Sequence, residues 1–344
     1  MAQFLRAHAH SSSYLRRKSN VVGSGVGLKL TQGQPTSQVA VLVFVRKKEP
    51  LGNLAHSERV ESHIDGMPTD VVEVGDVRLL EFSGKDHPVT PQGPSSGDPT
   101  RLRKVRPAPP GVSLGHYLVT AGTFGAVVER QGVRYILSNN HVLANASNGR
   151  DGRARRGDAI LQPGTYDGGV TGADTIARLV EFAPLLSVND PVSLSPLLRG
   201  LQRILAAFGL RLASNEVPVN TVDAALAAPV NPDDISPEIL GIGRVTGVAR
   251  PNLGERVFKS GRSSGVTSGR LLGLDVRMEV GYGEQSAEFE HQFLFSRLSE
   301  PGDSGALIVN ERREAVALLF AGSDKATLGN PIQTVMDALK VQLV

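Results

Sequence analysis

The sequence contains no cysteine, so no disulfide can staple it, and stability has to come from burial and hydrogen bonding. It holds no apolar run near the roughly 18–20 residues that cross a bilayer as a helix. The opening residues, Met1-Ala2-Gln3-Phe4-Leu5-Arg6-Ala7-His8, carry no continuous apolar stretch and no cleavage signature, so a secretory leader is not expected. Net charge is only +3 over 344 residues, and the basic isoelectric point owes something to a local excess in the N-terminal half. That is weak ground for a nucleic-acid partner. His8 and His10 stand without further metal ligands around them. The expectation is a cytoplasmic protein with no metal, no organic cofactor, no nucleic acid and no membrane attachment. What is present, 40% hydrophobic residues and a mean hydropathy near zero, describes a soluble globular chain long enough for more than one core.

Residues 1–20 are polar and basic, with Arg16-Arg17-Lys18 together, and predict a surface helix. Three strand-like runs follow, Val21–Leu30, Val39–Val45 and Asp70–Val74. The second is β-branched and apolar on both faces, as a central strand must be. The polar stretch around Leu54–Ile64 predicts a helix, so residues 1–82 read as a small α+β domain. From 83 to 111 the composition changes. Pro88, Pro91, Pro94, Pro99, Pro107, Pro109 and Pro110 mix with Gly, Ser and the basic cluster Arg101-Leu102-Arg103-Lys104-Val105-Arg106, which predicts a solvated linker.

From 112 to 344 short apolar runs such as Ala126-Val127-Val128, Tyr135-Ile136-Leu137, Val257-Phe258-Lys259 and Ala315–Phe320 alternate with Gly, Asn, Asp and Pro. That pattern predicts an all-β unit, and roughly 230 residues suit two packed six-stranded barrels. The fold class expected is therefore mainly β, a double six-stranded β-barrel preceded by a small α+β domain. One segment breaks the pattern. Ser195-Pro196 opens like a capped helix, and Leu197, Leu201, Ile204, Leu205, Phe208 and Leu212 recur at helical spacing. An amphipathic helical insertion around 195–213 is expected, packed on its own barrel, over a cleft or against a second subunit.

The chemistry centres on Glu300-Pro301-Gly302-Asp303-Ser304-Gly305, a tight loop running into the apolar strand Ala306-Leu307-Ile308-Val309. Such a loop holds a serine on a rigid support, and its backbone N–H groups can face a developing oxyanion. A serine hydroxyl needs a histidine to take its proton and a carboxylate to orient that histidine. Ser138-Asn139-Asn140-His141-Val142-Leu143 places a histidine just past a strand; His291, in Glu288-Phe289-Glu290-His291-Gln292, is the poorer alternative. For the carboxylate, Asn220-Thr221-Val222-Asp223-Ala224-Ala225 sets an aspartate on a short strand among small apolar residues, where it must be paired. Asp174 has a similar look. Asp223 is preferred because it lies 82 residues after His141 and 81 before Ser304. Gly261-Arg262-Ser263-Ser264-Gly265 fits a hydrolase elbow in letters only, since a hairpin pattern follows it. Gly23-Ser24-Gly25-Val26-Gly27 lacks the helix that a dinucleotide loop requires.

The ordered set resembles the trypsin-like serine peptidases, and most closely the branch of plant NARROW LEAF proteins and their bacterial relatives. The match includes Leu137–Ala144, Ile160-Leu161-Gln162-Pro163-Gly164, Val222-Asp223-Ala224-Ala225, Lys259–Gly265 and Leu319-Phe320-Ala321-Gly322-Ser323. The resemblance covers roughly 112–344, and more loosely Gly23–Gly75. It implies His141 as general base, Asp223 as its orienter, Ser304 as nucleophile and the amides of Gly302 and Ser304 as oxyanion hole. It also implies a specificity pocket with Leu298 and Ser299 on one side and Phe320, Ala321 and Gly322 on the other, neutral and apolar. Trypsins activated by cutting pair the aspartate before the serine with a new amino terminus. Here a whole domain precedes the barrel, so Asp303 is expected to lack that partner, leaving control to oligomerisation, a ligand or loop ordering. The function expected is a regulated intracellular serine endopeptidase acting on proteins or peptides, with a homo-oligomer open. The rival readings are a catalytically idle protease fold that binds peptides or protomers, and an N-terminal partner-binding module with the protease as effector.

Overall fold

The computed structural model describes residues 1–31, 34–80, 99–191 and 217–344. The helical insertion expected around 195–213 and the linker residues 83–98 lie outside them. The chain is mainly β, built around two sheets. In the C-terminal sheet six antiparallel strands close into a ring. Arg256–Gly261 pairs with Gly265–Tyr282, which pairs with Gln285–Ser296, then Ala326–Pro331, Glu314–Gly322 and Leu307–Asn310, and the last returns to Arg256–Gly261. The other body runs Ala126–Arg130, Val133–Ser138, Ala225–Pro229, Thr175–Phe182, Ala159–Leu161, Ser113–His116. Its two ends are drawn together by Phe124, whose N–H donates to Val112 and whose carbonyl accepts from Gly111.

Alternation explains both bodies, since each strand sends one face inward. Leu114, Phe124, Ile136, Ile160 and Ile176 fill the first core; Leu271, Phe295, Ile308 and Leu319 fill the second. Leu137, Leu226, Leu307 and Leu318 belong to a third cluster that joins the two bodies. The helix Ile332–Leu339 buries Val335 and Leu339 in that same cluster. The strand Gln342–Leu343 then pairs with Ala126–Arg130, so the C-terminal segment reaches back to the first body.

The N-terminal residues do not form a separate sheet. Val21–Thr31 pairs with the far part of the 18-residue strand Gly265–Tyr282, and Gln34–Val45 and Met67–Glu73 extend the sheet from there. Val39–Val45 has strand neighbours on both sides, in keeping with its apolar faces. The glycines of Gly23-Ser24-Gly25-Val26-Gly27 are there for close approach: a Cβ on Gly27 would lie 2.1 Å from the Leu272 carbonyl oxygen. The helix Ala2–Leu15 lies across this extension and buries Ala7, His8 and Leu15.

Two local expectations are corrected. Leu54–Ile64 forms no such helix, only the single turns Leu51–Asn53 and His56–Glu58. The side chains there are mostly exposed, and a short helix with nothing to bury does not persist. The basic cluster is not a solvated tether. Arg101 is buried, and its guanidinium donates to the Gly111, Gly261 and Leu240 carbonyls and to Ser260 Oγ. Lys104 pairs with Asp174 and Arg106 with Asp234. No helix among the described residues is long and apolar enough to cross a membrane.

Candidate active site

Strand register brings the expected base and its orienter together. Val133–Ser138 pairs with Ala225–Pro229 so that Ser138 faces Ala225. His141 lies three residues after Ser138, in the one-turn helix Asn140–Leu143, and Asp223 two residues before Ala225, so both leave the same end of the paired strands. Asp223 therefore precedes its strand rather than lying on it, where its carboxylate can turn toward the histidine. His141 Nδ1 is 2.5 Å from Asp223 Oδ2, and the His141 N–H donates to Asp223 Oδ1 at 3.2 Å. Both residues are buried, so the carboxylate is held for the imidazole and not for water. With Asp223 ionised, Nδ1 carries the proton of this bond, which leaves Nε2 as the basic nitrogen.

Neighbouring side chains fix the Asp223 backbone in turn. Asn139 Nδ2 donates to the Asp223 carbonyl, the Asp223 N–H donates to Asn330 Oδ1, and Asn330 Nδ2 donates to Gln292 Oε1 at 2.6 Å. The alternatives lie elsewhere. Asp174 pairs with Lys104, and His291, largely exposed, pairs with Asp275. On the other side of Asp275 is His8, which also contacts Ser24 Oγ, and His10 pairs with Asp65.

The Ser304 loop is tied through Thr123, a residue that sequence reasoning did not single out, to the strand that leads to His141. The Thr123 N–H donates to the Ser304 carbonyl at 2.8 Å and its hydroxyl donates to the Gly302 carbonyl at 2.9 Å. Its own carbonyl accepts the Ser138 hydroxyl, three residues before His141. Gly305 is packed so close that a Cβ there would lie 2.0 Å from Ser138 Oγ. A Cβ on Gly122 would touch both Val142 and the Ser304 carbonyl. Ser304 Oγ donates to the Phe320 carbonyl at 3.1 Å.

The loop is held from below by a partner that the sequence reading did not expect. Asp303 is fully buried, and Lys259 Nζ, equally buried, is 3.0 Å from its Oδ2. Asp303 also accepts the N–H groups of Ser263, Ser264 and Glu300 and the Ser264 hydroxyl. Burial pushes the Lys259 ammonium below its ordinary range, while Asp303 pulls it back up. The carboxylate before the serine thus has its cation within the chain, supplied by the strand Arg256–Gly261. The signal was the lysine itself, inside the apolar run Val257-Phe258-Lys259, where a buried cation needs a partner.

Of the two expected oxyanion donors, Gly302 has φ +93°, a conformation open to glycine, and its N–H donates to the Leu80 carbonyl at 2.8 Å. Three of the five expected pocket residues have contacts that relate them. Leu298 and Ser299 are buried, Ser299 Oγ is 2.7 Å from Thr327 Oγ1, and a Cβ on Gly322 would lie 3.2 Å from Ser299 Oγ and 3.6 Å from Leu80 Cδ1.

No protein-family model matches this chain, and no curated protein does. Among solved structures it is similar to Thermobifida fusca Protease A, at 15% identity over 69% of this chain and 99% of that one, TM-score 0.44. It is also similar to a Nocardiopsis protease, at 15% identity over 69% of this chain and 99% of that one, TM-score 0.44. Cellulomonas bogoriensis chymotrypsin matches at 15% identity over 68% of this chain and 97% of that one, TM-score 0.42.

Proposed function

We propose that this chain is a serine endopeptidase that hydrolyses peptide bonds by acyl transfer. The observation that carries the reading is the buried His141–Asp223 pair, both carboxylate oxygens engaged, beside a glycine-flanked serine whose loop is tied to it through Thr123. In this reading Ser304 Oγ attacks the carbonyl carbon of a peptide as His141 Nε2 takes its proton. The N–H groups of Gly302 and Ser304 receive the charge that develops on oxygen, and one such donor contributes about 2.7–4 kcal/mol. His141, held by Asp223, then protonates the leaving amine, and water repeats the sequence on the ester. The pocket walls at Leu298, Ser299, Phe320, Ala321 and Gly322 carry no charge, so an apolar residue before the cut bond suits them. The reading includes a place beside the NARROW LEAF branch, on the motifs quoted above, and a cytoplasmic location, on the absence of cysteine.

A fluorophosphonate probe tests it. Wild type is expected to carry the adduct on Ser304, located by peptide mass spectrometry, and Ser304→Ala to carry none. Absence of label on Ser304 in both wild type and Leu80→Ala removes the reading.

A further inference from the structure

We infer that Arg78-Leu79-Leu80 is the acyl side of a substrate seated in the chain's own active site, and that the protein cuts itself between Leu80 and Glu81. This rests on the peptidase reading of Ser304 and specifies its first substrate. Three contacts carry it, and the third is independent of the first two. Arg78–Leu79 adds as an antiparallel strand to the pocket wall, Leu79 facing Ala321 and Arg78 facing Gly322. The Leu80 N–H then points at the Phe320 carbonyl, 3.4 Å away, which is the same oxygen that accepts the Ser304 hydroxyl. Strand addition to a sheet edge explains these two contacts and no more. The third lies outside the sheet: the Leu80 carbonyl oxygen accepts the Gly302 N–H at 2.8 Å, and that N–H is the one assigned to the oxyanion.

The side chain agrees with the backbone. Leu80 is 7% exposed and packs in one cluster with Leu298, Ala306 and Leu319. It fills the apolar pocket between Leu298 and Gly322 that the sequence assigned to the residue before the cut bond. The approach is anchored as well. The Val74 N–H donates to the Val45 carbonyl, Ser323 Oγ donates to the Val74 carbonyl, and the Gly281 N–H donates to the Val77 carbonyl. The N-terminal strands thus deliver Leu80 from within the same sheet, which makes the reaction intramolecular and replaces a bimolecular encounter by a held geometry.

The step balances without any co-reactant but water. Ser304 Oγ bonds to the Leu80 carbonyl carbon while its proton passes to His141 Nε2, and the oxygen's charge rests on the Gly302 and Ser304 N–H groups. The carbon–nitrogen bond to Glu81 breaks, its electron pair stays on the Glu81 nitrogen, and His141 returns the proton there. Water then attacks the Leu80–Ser304 ester, His141 passes one of the water's protons to Ser304 Oγ, and Leu80 ends as a carboxylate. Asp303 already has Lys259, so the freed Glu81 amine is not required to order the loop.

The test uses the full chain. Wild type and Ser304→Ala are purified, incubated over a tenfold range of dilution, and read by denaturing intact mass and amino-terminal sequencing. Denaturation matters because residues 1–80 keep their sheet pairing after a cut. The expected result is a Ser304-dependent break giving a new terminus at Glu81, with a rate that dilution does not change and that Leu80→Ala lowers by about tenfold or more. An uncut wild type, a Ser304-dependent cut at another bond, or a rate that falls with dilution overturns the inference. Fluorophosphonate labelling of wild type and Leu80→Ala runs in parallel. Label on Ser304 without a cut removes self-cleavage and leaves the peptidase reading; neither label nor cut removes both.

Discussion

Replacing Lys259 by methionine is the sharpest test of how the Ser304 loop is held. The substitution keeps length and apolar bulk and deletes one charge from a pair in which both side chains are fully buried. Removing one partner of a buried pair costs about 3–5 kcal/mol, because the other charge stays behind unpaired. Asp303 keeps four further donors, the N–H groups of Ser263, Ser264 and Glu300 and the Ser264 hydroxyl. That favours the low end of the range, about 3 kcal/mol, or a factor of roughly 100–200 in the unfolding equilibrium. The Gly265 carbonyl also loses the ammonium that donates to it. The loop carrying Gly302 rests on this web, so acylation should fall too, by about 10²–10³-fold if one oxyanion donor is misplaced. Guanidinium unfolding of Lys259→Met, Asp303→Asn and the double variant measures the first effect. The rate of fluorophosphonate labelling of Ser304 measures the second. Because the double variant removes both charges, it should be more stable than the sum of the two single losses allows. A Lys259→Met chain within 1 kcal/mol of wild type in stability and labelled at the wild-type rate would refute the reasoning; such a result lies well under the roughly 3 kcal/mol expected.

Two further outcomes follow from the site and from the core. Asp223→Asn keeps the shape of the carboxylate but favours the wrong histidine tautomer, and peptide hydrolysis should drop by about 10⁴-fold while the folded structure persists by circular dichroism; a loss under tenfold would mean that Asp223 does not orient His141. His116 is buried, with Nε2 on Asp158 Oδ2 and Nδ1 accepting the Leu118 N–H, and burial lowers its pKa against the opposing pull of Asp158. Between that lowered value and 6.5 the unfolded chain binds more protons than the folded one, so stability should fall as pH drops through this window. Chemical unfolding across pH should show that slope in wild type and lose it in His116→Gln, and an unchanged slope in the variant would place its origin elsewhere.

The sequence by itself determined what neighbours along the chain decide. Short apolar runs bounded by turn residues marked Val39–Val45, Tyr135–Leu137 and Ala315–Phe320 as strands. The pairing of His141 with Asp223 was legible from local context too: each is the polar residue of a short apolar stretch that has to satisfy it. The pocket expectation came from the family resemblance, which singles out Leu298, six residues before Ser304. Tertiary structure alone decided the rest. That Lys259 meets Asp303 depends on how Arg256–Gly261 pairs with Leu307–Asn310, and that Arg101 is buried depends on the Ser260 and Leu240 backbone it reaches. Thr123 became a link between the two bodies only once both had curled. The N-terminal strands read as a domain of their own because nothing local says that Gly23 will face Met278, more than two hundred residues later. The same register carries Leu80 to Gly302. Hydrogen-bonded sheet pairs carry no local signature, since any extended segment offers the same N–H and C=O groups; which segment answers them is settled only when the whole sheet packs.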